Sequence, residues 1–207
     1  MANVPFSALY PQVLPYLPGA EPPLVDSQIR KVVREFLKRT TLLRESFVFS
    51  TQADAATYML NPVFGQVSSV LRVGYSGEKH PIPPSVEETR VPVEPAKPTG
   101  WYTMLPHLLT FYPQPDGVYP IICDAVITLT QTDVELPGDI VAQYAEALAA
   151  GVLATMYGMP GKPWTQSQAA KEAARAYSGA IKTIRGGLRD GGQPNHSTFR
   201  GIARFGA

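Results

Sequence analysis

The sequence predicts an α+β protein. It would hold a bundle rich in three helices, near residues 25–39, 138–157 and 165–186, a central antiparallel β region, and extended N- and C-terminal arms. Three observations carry this reading. Apolar residues recur every three to four positions after Asp26, that period disappears between Phe47 and Thr130 in favour of β-branched and aromatic clusters, and it returns from Ile140. The chain of 207 residues is 44% hydrophobic and 17% charged, so it has apolar material for a real core. Its 21 prolines and 17 glycines exceed the usual combined share of about 12%, so many loops interrupt the fold.

Along the chain, residues 1–23 mix apolar side chains with Pro5, Pro11, Pro15 and Pro18, a spacing that forbids a long helix and suggests an arm lying on an apolar surface. From Asp26, Ile29, Val32, Val33, Phe36 and Leu37 fall at helical spacing, with Arg30, Lys31, Arg34, Glu35 and Lys38 on the opposite face. The clusters Phe47–Phe49, Val67–Val73 and Ile121–Thr130 then read as strands. In the last, Cys123, Ala125, Ile127 and Leu129 share the more apolar face, so Cys123 is expected to be packed rather than reactive.

Between Gly74 and Gly100, prolines at 81, 83, 84, 92, 95 and 98 are interspersed with charges, a composition that cannot enter the centre of a sheet and predicts a protruding loop or long hairpin. The last third returns to helix. One helix opens at Leu136-Pro137-Gly138-Asp139, carries Ile140, Tyr144, Leu148, Val152 and Met156, and ends at Gly158 and Pro160. Thr165 and Gln168 have capping-box spacing and would start the next helix, whose packing face is mostly alanine (Ala170, Ala173, Ala174, then Tyr177, Ile181, Ile184 and Leu188) and which Gly186 and Gly187 would end. The organisation expected is a proline-rich arm over 1–23, a main domain over 24–186 with a β insert at about 47–131 and a loop at 74–100, and a flexible basic arm over 187–207.

Net charge is +1, so the whole chain offers no general field for polyanions and any such contact must be local. From Lys182 onward five basic residues face only Asp190, and Phe199, Ile202 and Phe205 interleave with Arg200 and Arg204. One cysteine excludes an internal disulfide and a cysteine-rich zinc site. No Lys or Arg precedes Arg30, so no secretory signal is read. The uncharged run from Ala147 to Gly161 is shorter than the roughly 20 residues of a spanning helix, so no membrane association is expected.

Chemistry is hard to find. His80, His107 and His196 are far apart in sequence, so no metal site is read. Gly74-Tyr75-Ser76-Gly77 is one residue short of a nucleophile elbow and fits a surface turn better. Gly161-Lys162 lacks the earlier glycine of a phosphate loop, and Pro163 stands where a magnesium-binding hydroxyl belongs. Glu87 and Glu88 fit a solvated acidic pair better than an acid–base couple, and Trp164 fits a core anchor better than a ligand platform. No catalytic residue and no cofactor is assigned. The proline arm, the charged insert and the basic aromatic tail look like docking devices.

Two blocks resemble the head-to-tail adaptor proteins of short-tailed bacteriophages, the family that includes tail tubular protein A. The first is Leu14-Pro15-Tyr16-Leu17-Pro18-Gly19 with Pro22-Pro23-Leu24-Val25, Ile29-Arg30, Glu35-Phe36 and Lys38-Arg39-Thr40, closing at Leu42 to Glu45, where Leu43 replaces the tryptophan of that family. The second, more specific block is Leu136-Pro137-Gly138-Asp139, Tyr144-Ala145-Glu146-Ala147, Ala150-Gly151-Val152-Leu153 and Met159-Pro160-Gly161-Lys162-Pro163-Trp164. The β region and tail are not matched.

The resemblance implies a non-enzymatic ring of this protein, twelve-fold, between the portal and the tail nozzle or tail tube in the neck of a virion. Genome DNA would pass through its lumen without sequence recognition, and a tail fibre or spike is a further candidate partner. Synthesis would be in the host cytoplasm. It implies that Gly151, Pro160, Gly161, Pro163 and Trp164 serve hairpin architecture. Physical reasoning on the unmatched parts assigns Arg189, Phe199, Arg200, Ile202, Arg204 and Phe205 to portal binding through a tail that orders on assembly, with a frayed end as the rival reading. It assigns Glu78, Lys79, Glu87, Glu88 and Arg90 to nozzle or inter-subunit contact. Two other classes stay open: a tail-associated lytic enzyme, which would need a convergent acid or nucleophile site, and a sequence-independent nucleic-acid binder, which would need a basic face outside the tail.

Overall fold

The computed structural model describes residues 3–85, 94–189 and 199–202. In chain order the elements are β1 (Asn3–Pro5), a 3-10 turn (Phe6–Leu9), α1 (Tyr10–Val13), a second 3-10 turn (Leu14–Tyr16), α2 (Pro22–Thr40), β2 (Arg44–Ser50), β3 (Thr57–Met59), β4 (Gln66–Tyr75), β5 (Pro81–Ile82), β6 (Gly100–Tyr102), β7 (Leu108–Tyr112), β8 (Pro120–Thr128), β9 (Glu135–Pro137), α3 (Gly138–Tyr157), α4 (Ser167–Arg189) and β10 (Phe199–Ile202). The protein is α+β, and the three long helices stand where the periodicity put them. The chain divides into two compact units: a helical one from Met1–Thr40 with the segment that follows Leu129, and a β unit from Thr41–Thr128 with β10.

In the helical unit the prolines start turns instead of ending structure. Pro11 and Pro15 stand in the first turns of α1 and the second 3-10 turn, where a missing N–H costs no hydrogen bond. The arm is therefore a series of single turns, and Phe6, Leu9, Val13 and Leu17 are all buried. Tyr10 donates to Asp26 at 2.8 Å, and Arg30 lies over the Phe6 ring while its Nε donates to the Asp133 carbonyl at 2.9 Å. β1 pairs antiparallel with β9, placing Val4 opposite Leu136.

α2 begins at Pro22, one turn before the apolar period becomes visible, because two prolines fit a first helical turn. Lys38 and Arg39 in its last turn face the negative end of the helix dipole. It buries Val25, Ile29, Val32, Val33, Phe36 and Leu37. α3 is 20 residues long and leaves helical geometry at Tyr144, with φ −125° and ψ 16°. Leu148, Val152 and Met156 are buried whereas Ile140 and Tyr144 are half-buried. A strict spacing of four turns by about 40° per step on a 3.6-residue helix, so the earlier members drift off the face.

α4 departs from the sequence reading at both ends. Thr165 is not an N-cap: its hydroxyl donates to the Met159 carbonyl and accepts the Lys162 N–H, and Gln168 bonds Glu172 one turn along its own helix, at 2.8 Å. The tight turn before the helix has claimed the hydroxyl. Gly186 and Gly187 do not end α4, which runs on to Arg189, since glycine weakens a helix without blocking its hydrogen bonds. Ala174 is exposed, and the packing face is built by Tyr177 and Ile181 with smaller neighbours.

In the β unit, five strands run in the order β10-β2-β8-β4-β5 and three in the order β3-β7-β6. All pair antiparallel except β10, which joins β2 in parallel. Phe47, Cys123 and Val73 stand opposite one another across three strands and are each fully buried. Phe49, Tyr58 and Phe111 form a ring cluster with centroids 5.2 to 6.4 Å apart. The short strand Pro81–Ile82 is at the sheet edge, where a proline leaves no ladder bond unmade. Two register shifts in β4, at Val67/Ser69 and Val70/Arg72, have no signature in the sequence pattern.

Candidate functional site

The residues assigned to hairpin architecture lie together. Gly151 is where α2, α3 and α4 meet: a β-carbon there would stand 2.6 Å from Cγ1 of Val32 and 2.9 Å from two ring carbons of Tyr177. The Tyr177 hydroxyl donates to the Val32 carbonyl at 3.2 Å, and Phe36 stacks against Tyr144 and Tyr177 at 5.6 and 6.3 Å. Burial, reinforced by the charge of Glu35, pushes the Tyr177 phenol well above its ordinary range. A buried phenol bonded to a backbone carbonyl is suited to packing rather than to proton transfer.

The turn between α3 and α4 satisfies itself. Met159 N–H donates to Met156, Thr165 N–H to Lys162 and Gln166 N–H to Tyr157, at 3.0 to 3.1 Å. Gly161 takes φ +70°, a conformation side chains resist, and Pro160 and Pro163 flank it. Trp164 is 4% exposed, as a core anchor should be, but its indole N–H finds no acceptor among the described residues.

The described part of the charged insert is pinned at both legs. Tyr75 donates to the Pro98 carbonyl, Lys97 lies 4.2 Å from the Tyr75 ring centroid and pairs with Glu78 at 2.9 Å, and the Trp101 indole donates to Ile82. Burial, with the Glu78 charge adding, pushes the Tyr75 phenol up to about 12. Glu78 is thus engaged within the insert, while Lys79 is exposed. Glu87, Glu88 and Arg90 lie outside the described residues. Of the tail residues, Arg189 closes α4, and Phe199, Arg200 and Ile202 are in β10, opposite Glu45, Ser46 and Val48 of β2. Arg204 and Phe205 lie outside the described residues.

Two charged faces escaped the sequence reading. On α4, Lys171, Arg175, Lys182 and Arg185 are all exposed, and none makes an ion pair or hydrogen bond with a described residue. Their spacings of four, seven and three place them on one stripe of the helix. The nearest acid, Glu172, is about 100° round the helix and is held by Gln168. On α3 the only charges are Asp139 and Glu146, seven residues apart and both exposed. Heptad spacing of charges was the available signal, and a net charge of +1 concealed it.

Beside these acids, Ala142 and Gln143 are the other exposed residues of α3, and most of its apolar side chains are half-buried. This helix is long and apolar enough by length and composition to cross a membrane, yet only 33% of its most apolar window is buried. Between α3 and α4 runs an open groove of about 690 Å³, lined by Ala142, Glu146 and Ala150 of α3 and Ala176, Ala180 and Thr183 of α4. Among the described residues no three His, Cys, Asp or Glu side chains converge as a metal site.

A comparison with curated proteins finds no match. The SU10 adaptor protein family matches residues 5–200, a span that takes in the proline arm, the β unit and the helical hairpin. The chain therefore belongs to the SU10 adaptor protein family, a family of phage head-to-tail adaptors with a structural role in the virion.

Proposed function

We propose that the protein forms a ring, twelve-fold, between the portal and the tail nozzle of the virion, with the genome leaving through its lumen. Family membership over residues 5–200 carries this reading. The long apolar helix α3, many of whose apolar side chains are only half-buried, supports it, because such surface is normally closed by another chain. The role is mechanical: the three helices lock at Gly151 into a rigid body, and the insert and tail supply contacts beyond it.

In this reading the tail docks on the portal, with Phe199 and Phe205 as apolar anchors, Arg189, Arg200 and Arg204 as charged contacts, and Ile202 beside them. The edge position of β10 supports it, since a strand joined at one side of a sheet can exchange partners on assembly. The insert, through Glu78, Lys79, Glu87, Glu88 and Arg90, meets the nozzle or the adjacent subunit. Electron cryomicroscopy of the neck of assembled particles tests the arrangement: density for the chain as a closed ring between portal and nozzle is expected. Particles that lack the protein yet hold firmly attached, DNA-tight tails would overturn it. Deletion of residues 190–207 should abolish attachment to portal-bearing heads, and unchanged attachment would remove the docking role of the tail.

A further inference from the structure

Positive charge in this chain is gathered on two neighbouring helices. α4 carries five basic residues against one acid and α2 five against two, so together they hold +7, whereas the whole chain is +1 and the only charges of α3 are Asp139 and Glu146. Within α4 the charge is ordered further. Lys171, Arg175, Lys182 and Arg185 fall within about 80° of one another round a helix continuous over 23 residues, and all four are exposed. None has an anionic partner among the described residues. Glu172 is bonded to Gln168, and Glu35, the acid that α2 brings beside Tyr177, is paired with Arg39 at 2.9 Å. From Lys171 to Arg185 the stripe runs about 21 Å, the length of roughly six base pairs of duplex.

Whatever covers such a stripe is anionic, and the rest of the α4 surface says of what kind. A protein partner needs large apolar or aromatic side chains at the centre of its contact, and a lipid surface needs an apolar face to seat the helix. No described residue of α4 exposes a large apolar side chain. From Ala174 onward its exposed positions other than the basic ones are Ala174, Ala176, Gly179, Thr183 and Gly187, which leave the long basic side chains standing clear. We propose that the basic stripe of α4 holds the phosphate backbone of double-stranded DNA. It does so without reading sequence, because Lys and Arg on phosphates fix position only, and no Asn or Gln lies between Lys171 and Arg185 to reach a base edge. This rests on the reading of the protein as a channel for the genome, and it assigns α4 to the side of the chain that the DNA meets.

The test is equilibrium binding of the full-length chain to fluorescent duplexes of about 30 base pairs and two unrelated sequences, followed by anisotropy between about 20 and 200 mM salt. Both sequences should bind alike, and more weakly as salt rises. Lys171→Gln with Arg175→Gln, and separately Lys182→Gln with Arg185→Gln, should each make the slope of log K against log salt shallower by about 1.8 and weaken binding at least about tenfold at low salt. All four positions are exposed, and circular dichroism confirms that each variant is folded. Arg200→Gln with Arg204→Gln, in the tail, should change the slope less than either. A wild type that ignores duplex, α4 variants that bind as the wild type does, or a tail variant that takes away as much of the slope would overturn the proposal. So would α4 variants that keep DNA binding but lose attachment to portal-bearing heads, which would assign the stripe to an acidic protein surface. Binding is measured before assembly, so its failure is distinct from that of the ring. A chain that binds duplex but forms no ring would remove the ring and leave the stripe, and rings built by a chain indifferent to DNA would do the reverse.

Discussion

Gly151 on α3 is pressed against the ring of Tyr177 on α4, so closely that a β-carbon on the glycine would approach Cδ2 and Cε2 to 2.9 Å. Real side chains do not pack at that distance, and the Val32 side chain closes the other side. Gly151→Ala therefore gains about 1 kcal/mol of helix propensity and loses about 1–3 kcal/mol to overpacking. A lower urea midpoint is expected. Gly179→Ala is the control: that glycine has no atom within 4 Å of a built β-carbon, so the same change should raise the midpoint.

Trp164 separates packing from hydrogen bonding. Its ring is buried but its N–H is unpaired among the described residues. Trp164→Phe keeps most of the ring and deletes the orphan donor, so stability should stay within about 1 kcal/mol of the wild type. Trp164→Ala should cost about 3–5 kcal/mol by leaving a cavity. Equal losses in thermal unfolding of the two variants would mean that the N–H has a partner.

Glu45 makes the β unit pH-sensitive. The residue is 3% exposed in the buried row of β2, and burial raises its pKa, against the lowering effect of the Val63 N–H that both its oxygens accept at 3.2 Å. A carboxyl with a raised folded pKa binds its proton more tightly in the native state, so its contribution to stability falls as pH rises from its unfolded pKa through its folded one. Glu45→Gln keeps an acceptor for Val63 and removes the charge. It should raise the melting temperature at neutral pH and flatten that fall, and a variant less stable than the wild type at pH 7 would contradict this.

Cys123 should be silent to thiol reagents. It is fully buried between Phe47 and Val73, and burial, with the Asp124 charge adding, pushes its thiol up to about 12. At pH 8 only about one molecule in ten thousand carries a thiolate. Alkylation by iodoacetamide should be absent in the folded protein and complete after denaturation, as read by mass spectrometry.

Local signals in the sequence were faithful where one residue's neighbours settle its state. The 3.6-residue period placed α2, α3 and α4, and alternation put Cys123 on the buried side of its strand. The same locality misled where a distant group competes. Thr165 and Gln168 have cap spacing, but a carbonyl six residues back takes the hydroxyl. Two glycines read as a stop, yet the helix continues because its hydrogen bonds survive them. Glu45 was read as part of a motif rather than as a buried acid, since its environment is supplied by Val63 in a separate loop.

By itself the sequence determined the three long helices, the β region between the first two, the hairpin motif and, through that motif, the family. Tertiary structure decided which sides of those elements stay uncovered. Nothing in a linear chain says that Asp139 and Glu146 are left exposed while Val152 is closed over. Exposure is settled only when the hairpin closes on Gly151, because it depends on how far apart two segments are in space and not along the chain.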